Sequence, residues 1–344
     1  MRVFVTGVDG YIGSLLAPLL LQDGWEVIGL DTGYYREGWL YNDSQTTPVF
    51  PRVLSKDLRS VEEQDLDGAD AVVHLAELSN DPLGANNPLV THAINHLGSV
   101  RLAKLAKTVG ARRFVYTSSC SVYGLGTGDF LTEEDTVNPQ TAYAECKVLV
   151  EKDVGELADS GFCPTFLRNA TAYGASPRMR FDIVLNNLSG HAWTTRKIAM
   201  TSDGTPWRPL THVLDICSAI ICTLKAPKES VSGEIFNVGH NQDNYQIREI
   251  AQIVAEVFPD CELSVGPSGG DDRSYRVSFD KINQQLSGFQ CRWTARQGAE
   301  QLRSLFERID MPREAFEFRA FTRLKQLEFL LRTQQIDKEF FWRV

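Results

Sequence analysis

Tyr143 and Lys147 stand four residues apart in YAECK, a spacing that places a phenol and an ammonium on one face of a helix. A phenol with an ordinary pKa near ~10 is a weak base at neutral pH, and a neighbouring cation favours its ionised form. Earlier in the chain, YTSSCSVYG at 116–124 closes an apolar run with Thr117, Ser118, Ser119, Cys120 and Ser121. So many small hydroxyls at one strand end are placed to hold a polar ligand rather than to fill a core. A third pattern, TGVDGYIG at 6–13, carries Gly7, Gly10 and Gly13 between a strand and a helix. There a tight turn lets backbone N–H groups approach a pyrophosphate at the helix N-terminus.

Asp31 ends the next strand, EVIGLD. An acidic side chain at that point accepts hydrogen bonds from the adenosine ribose and repels a 2'-phosphate, so NAD is expected over NADP. Arg36 nearby keeps NADP open.

These groups need a scaffold that the rest of the chain supplies. RVFVT, EVIGL, RVL, AVVHLA, RFVYT and PTFLR read as strands, and IGSLLAPLLL and SVRLAKLAKTVG, which lie between them, have helical apolar spacing. Such alternation implies a parallel sheet with helices on both faces. Beyond Arg168 the rhythm loosens. The strand signal GEIFNVG precedes a helix in which Ile247, Ile250, Ala251, Val254 and Val257 recur at helical spacing, and the last third is helical and charged. The expected fold is therefore α/β, a Rossmann-like doubly wound parallel sheet with a smaller, mostly helical C-terminal substrate domain. The cofactor domain is expected over 1–168 plus about 209–240, and the substrate domain over about 169–208 plus 241–344. Leu324, Leu327, Leu330 and Leu331 predict a C-terminal amphipathic helix. It is expected to cap the substrate domain or join an interface between copies.

Composition narrows the classes. The 344 residues are 43% hydrophobic and 23% charged, with net charge -9, so a phosphate-backbone partner, which needs clustered Lys and Arg, is not expected. No apolar run reaches membrane-spanning length, and MRVFVTG opens directly into a strand without a signal-peptide layout, so a cytoplasmic protein is expected. Seven cysteines without CxxC spacing read as reduced, mostly buried thiols. The six histidines offer no metal site, and His74 and His212 read as satisfied core residues.

Taken in order, TGxxGxxG, Asp31, KDL at 56–58, HLA at 74–76, SSCSVYG, YAECK and RPLTHVLD resemble the extended short-chain dehydrogenase/reductase family, and within it the NAD-dependent nucleotide-sugar epimerases and dehydratases. The resemblance implies that Gly7, Gly10, Tyr11, Ile12 and Gly13 wrap the NAD pyrophosphate. It places Asp31 on the ribose, Asp57 and Leu58 beside the adenine, and Leu75 and Ala76 along the cofactor cleft. Tyr143 becomes the base, Lys147 its ribose-binding partner and Ser119 the hydroxyl that holds the reacting sugar oxygen. Asn95 matches a structural helix asparagine. Thr171, Asn186, Arg208 and Arg273 fall where the family holds the substrate nucleotide, since two arginines can neutralise a diphosphate. A homodimer through a helix bundle is also implied by resemblance.

Family members that eliminate water carry Asp and Glu directly after the active hydroxyl, and decarboxylases keep the glutamate. Here Cys120 and Ser121 stand there instead, and neither can take both the acid and base roles of an elimination. The reading is an epimerase, most simply at carbon 4. Alternatives are a 4-keto-sugar reductase and an epimerase at carbon 3 or 5 using Cys120 or Ser121. A dehydratase, a decarboxylase and a non-catalytic cofactor-binding protein rank below these. Departures from the family pattern are Glu77 in place of the second alanine of HLAA, Ser268 in place of a diphosphate arginine, RNATAYG as the turn, and the aromatic run YYREGWLY after Asp31.

Overall fold

The computed structural model of the chain describes residues 1–42, 51–79, 87–267 and 273–343. Its first half alternates strand and helix: β1 (Arg2–Thr6), α1 (Gly13–Gln22), β2 (Glu26–Asp31), β3 (Arg52–Ser55), β4 (Ala71–His74), α2 (88–108), β5 (Arg113–Ser119), β6 (Leu125–Leu131), α3 (Ala142–Gly155) and β7 (Cys163–Asn169). The central sheet has seven strands in the order β11-β7-β5-β4-β1-β2-β3, with β11 at Ile235–Val238. Every pairing in it is parallel. The strand order reverses between β1 and β4, and in such sheets ligands bind outside the carboxyl ends of the strands at that point. The strands read as unbroken apolar runs because helices cover both faces. Two clusters do the covering, one around Val3, Val5, Leu16 and Ile216 and the other around Phe4, Leu102, Phe114 and Phe166. The doubly wound sheet expected from the alternation is the fold observed.

The later chain adds short strands around this sheet. β8 (Thr171–Tyr173), β10 (Trp207–His212) and β12 (Asn244–Gln246) form one small sheet, β9 (Lys197–Ala199) pairs with β13 (Glu262–Ser264), and β6 pairs with β14 (Ser274–Val277). Helices Val184–Thr195, Ile247–Val257 and Ala295–Arg308 pack around Phe181, Phe306 and Leu302 in a separate core. Among the described residues no helix is long and apolar enough to cross a membrane.

The C-terminal helix Arg323–Arg332 forms as its leucine spacing predicts, but its apolar face docks elsewhere. Leu327 and Leu330 pack with Tyr34, Leu78, Val90 and Ile94, beside the end of β2 and against α2. The segment after it continues there: Trp342 Nε1 donates to the Thr32 carbonyl at 2.7 Å, and Arg59 stacks 3.6 Å from the Phe341 ring. The reason lies in YYREGWLY. Tyr34 and Tyr35 are large, half-apolar side chains beside Asp31 that need cover, and the C-terminal leucines supply it.

Candidate active site

The glycine turn is built by close approach. Gly7 has φ 68°, a left-handed conformation that side chains disfavour, and a Cβ there would lie 2.9 Å from Ala76 N. A Cβ on Gly13, the first residue of α1, would lie 2.3 Å from the Gly7 carbonyl. No side chain caps the N-terminus of α1, so its leading N–H groups are suited to an anion. Asp31, at the end of β2, accepts from Gly33 N at 2.8 Å and Asp9 N at 3.1 Å, which leaves acceptor sites for ribose hydroxyls. Burial pushes its carboxyl up, and those two N–H bonds oppose the shift. Leu75 N and Ala76 N both donate to Thr6 Oγ1 at 3.2 Å, which ties the cleft wall to β1.

Not every residue of the pattern faces the cleft with its side chain. The Tyr11 hydroxyl donates to the Gly174 carbonyl at 2.6 Å, and Ile12 precedes α1 among core residues. Asp57 caps the turn Leu58–Ser60 and holds Arg59 at 2.8 Å, while Leu58 is buried.

Asp9 is a charged position of the glycine turn that the sequence reading passed over. An acidic side chain inside a turn built for an anion is a conflict unless a cation balances it. Arg178 does so: its Nε donates to Asp9 Oδ1 at 2.8 Å, and a second nitrogen binds Oδ2. Arg178 also donates to the Arg36 carbonyl at 2.7 Å. An acidic residue between the glycines was the available signal, but its partner lies 169 residues away.

The expected reactive pair is set by α3. Thr141 caps that helix, accepting from Ala144 N at 3.2 Å. Tyr143 and Lys147 therefore fall one turn apart, with the Lys147 ammonium 5.2 Å from the Tyr143 ring centroid. Lys147 is buried and donates to the Thr117 carbonyl at 2.5 Å. It also forms an ion pair with Glu77, whose carboxylate accepts from the Tyr116 hydroxyl at 2.5 Å. Burial works against the Lys147 cation, but Glu77 and Tyr143 outweigh it and hold its pKa above the ordinary value. Burial holds the Glu77 carboxyl above its ordinary value, and Lys147 and Tyr116 oppose that shift. Two donors converging on it fit the ionised form.

β5 ends at Ser119, whose Oγ accepts from Ser121 N at 3.1 Å and caps a 3-10 turn over Cys120–Tyr123. The strand is thus not regular past Ser119, and the turn sends Cys120 into the core. Cys120 is 1% exposed, its Sγ donates to the Arg168 carbonyl at 3.1 Å, and burial pushes the thiol far up. A neutral buried thiol is a poor acid and a poor nucleophile at neutral pH. Ser121 Oγ, by contrast, is buried without a hydrogen-bond partner. So is Asn169 Oδ1, directly across the β5–β7 ladder from Ser119. Orphan polar atoms of this kind keep bonding capacity that a ligand or a water can take up.

The expected substrate residues divide. Arg208 donates to the Arg273 carbonyl, so the two come together at one edge of the small sheets. Thr171 begins β8 beside the end of β7 and is partly exposed. Asn186 is fully buried, with Oδ1 accepting from Gly174 N at 3.0 Å and Nδ2 donating to the Tyr11 hydroxyl at 3.2 Å. Ser268 lies outside the described residues.

The histidines are engaged in structure. Thr6 Oγ1, which already accepts two N–H groups, donates to His74 Nδ1 at 2.6 Å, leaving Nε2 to donate to Ser99 Oγ at 2.7 Å. Burial and the Lys147 charge lower His74 to about 3, so it stays neutral. Asn95 clasps Leu78 through both its amide atoms, at 2.9 and 3.0 Å. His212 stacks on Trp293 at 4.2 Å, and burial lowers it to about 4.

A glycine cradle that any Cβ would fill, an uncapped helix start, an acidic residue at the end of β2 and a Tyr–Lys pair beyond β5 define a dinucleotide-dependent enzyme of the extended short-chain type. The model of the NAD dependent epimerase/dehydratase family matches residues 3–239, and the chain belongs to that family. It is 27% identical over 303 residues to the UDP-glucose 4-epimerase of Corynebacterium glutamicum, covering 83% of this chain and 90% of that protein. It is 29% identical over 266 residues to the UDP-N-acetyl-alpha-D-glucosaminuronate decarboxylase of Bacillus cytotoxicus, covering 74% and 80%. The solved structure of MoeE5 in complex with UDP-glucuronic acid and NAD matches with a TM-score of 0.75 at 27% identity, covering 90% of this chain and 100% of that one. The cofactor is NAD, as the acidic end of β2 leads one to expect.

Proposed function

We propose that this chain is a nucleotide-sugar epimerase that inverts carbon 4 through a transient 4-keto sugar. The observation that carries the reading is the turn after Ser119. It holds no carboxylate, and the Cys120 thiol beside Ser119 is buried and bonded to the Arg168 carbonyl. A site without an acid–base pair beyond the active hydroxyl is poorly equipped for elimination and well equipped for proton removal at a carbinol. The similarity to a 4-epimerase supports the same choice, while the similarity to a decarboxylase is offset by the missing glutamate.

In this scheme Tyr143 removes the proton of the sugar 4-hydroxyl. Ser119 holds the same oxygen, and Lys147 stabilises the phenolate and holds the cofactor ribose. NAD supplies the acceptor and the later donor of the carbon-4 hydride. Arg208 and Arg273 hold the diphosphate, with Thr171 beside the sugar. Asn186 acts at one remove, fixing Gly174 and Tyr11, because its amide is already engaged.

Proton NMR of the purified protein with UDP-, dTDP-, GDP- and CDP-sugars in deuterated water tests this. A new stereoisomer without ring deuterium is the expected result. Deuterium at carbon 3 or 5 would replace the proposal with proton removal beside a ketone. Turnover that needs added NADH or NADPH would replace it with a reductase.

We also propose a homodimer through α2. Leu89 and Leu97 are 84% and 61% exposed on that helix, and Val100, Leu105 and Asp153 line a shallow groove next to Leu97. Light scattering is expected to give a dimer for the parent and a monomer for Leu97→Asp. A monomeric parent would remove the proposal.

A further inference from the structure

The family pattern has alanine where this chain has Glu77, and a buried carboxylate at that point changes the electrostatics of the reacting pair. Two cations interact with Tyr143, Lys147 beside its ring and Arg180 through its charge, and each has its own carboxylate. Lys147 is paired with Glu77, and both side chains are under 5% exposed. Arg180, which interacts electrostatically with Tyr143, holds Asp182 through two bonds at 2.9 and 3.0 Å. Arg168 holds Glu151, one helical turn after Lys147, at 2.7 Å. Among the described residues, the titratable neighbours His74, Cys146 and Tyr116 add no charge near neutral pH. His74 is lowered to about 3, burial pushes the Cys146 thiol up to about 12, and Tyr116 is raised well above its ordinary value by burial and Glu77. Among the described residues the phenol therefore sits in a cage of paired cations.

With alanine at position 77 the cage would hold one uncompensated ammonium. That charge would draw the proton off Tyr143 whether or not the cofactor is oxidised. Glu77 removes that bias and also fixes the ammonium in place. One donor direction of Lys147 goes to the carboxylate and another to the Thr117 carbonyl, while Tyr116 orients the carboxylate from the far side.

We propose that Glu77 is a positioning residue of the Tyr143–Lys147 pair, balancing the lysine so that the positive charge of oxidised NAD is what favours release of the Tyr143 proton. The proposal rests on Tyr143 being the group that takes the substrate proton, but its test does not depend on turnover. The protein labelled with carbon-13 at the tyrosine ring carbon bearing oxygen has ten tyrosines, and Tyr143→Phe identifies the signal of interest. Titration through the alkaline range, with and without NAD, then reads the phenol directly.

Glu77→Gln is expected to move Tyr143 ionisation to lower pH by roughly one unit, the order of a unit charge removed a few ångströms away at protein dielectric. It is also expected to shrink the difference between the NAD-bound and NAD-free midpoints. Glu77→Ala carries the same expectation and serves if the glutamine variant does not fold. Tyr116→Phe keeps the charge and removes only one hydrogen bond to it, so its midpoint should stay with the parent. A Glu77→Gln midpoint equal to or above the parent's overturns the proposal. So does an equal downward shift in Tyr116→Phe, which would trace the effect to packing. If the titration behaves as expected while no sugar is epimerised, the fault lies with the proposed reaction and not with the role of Glu77.

Discussion

Tyr143→Phe is expected to lower turnover a hundred- to ten-thousand-fold, the range for removing a positioned proton-transfer group, while leaving NAD bound. The phenylalanine keeps the ring that lies 5.2 Å from the Lys147 ammonium and deletes only the oxygen. Lys147 remains anchored by Glu77 and the Thr117 carbonyl, so the ribose-binding role proposed for it is expected to survive. The glycine cradle runs from β1 into α1 and Asp31 ends β2, and none of these elements carries the change. The checks are the epimerisation rate on whichever nucleotide sugar the NMR panel identifies and the NAD content of the purified variant. A variant that keeps a tenth or more of parental turnover would mean that another group takes the proton. Loss of NAD along with activity would instead assign Tyr143 to cofactor binding.

What could be read from sequence follows a physical division. The parallel sheet was legible because strands buried on both faces must be apolar throughout, and RVFVT, AVVHLA and RFVYT say so locally. The glycine turn and the Tyr–Lys pair were legible because each is a short-range pattern whose geometry is set by one turn or one helix. Interactions between distant positions were not. Nothing in TGVDGYIG names Arg178 as the partner of Asp9, and nothing in RLKQLEFLL says that its leucines will cover Tyr34 rather than the later helices. Cys120 shows the same limit in miniature. A regular strand would alternate its side chains, but Ser119 caps a 3-10 turn, and where the thiol points depends on where that strand stops. Asn186 sits where resemblance puts a substrate contact, and only the fold reveals that Gly174 and Tyr11 already occupy its amide.

Glu151 illustrates how much of the site rests on such a long-range pair, and it carries the second large expected effect. It lies on α3 four residues after Lys147 and eight after Tyr143, so it shares their face of the helix. Its carboxylate accepts from Arg168 Nε at 3.0 Å and Nη2 at 2.7 Å, and from Ser118 Oγ at 2.5 Å. Arg168 in turn donates to the Tyr123 hydroxyl at 3.0 Å. Both charged side chains are 5% exposed, and the pair clamps α3 to β5 and β7, whose ends present Ser119 and Asn169.

Burial works against the Arg168 cation, and Glu151 and Tyr123 more than offset it. Glu151→Ala leaves that cation buried and alone, so a loss of about 3–5 kcal/mol is expected in urea unfolding. Replacing both residues together with apolar side chains, as Glu151→Leu with Arg168→Met, is expected to cost less than Glu151→Ala alone, since no orphan charge remains. If the single variant loses under about 1 kcal/mol, the pair behaves as a solvated surface bridge. The clamp then cannot be what fixes Tyr143 against the strand ends.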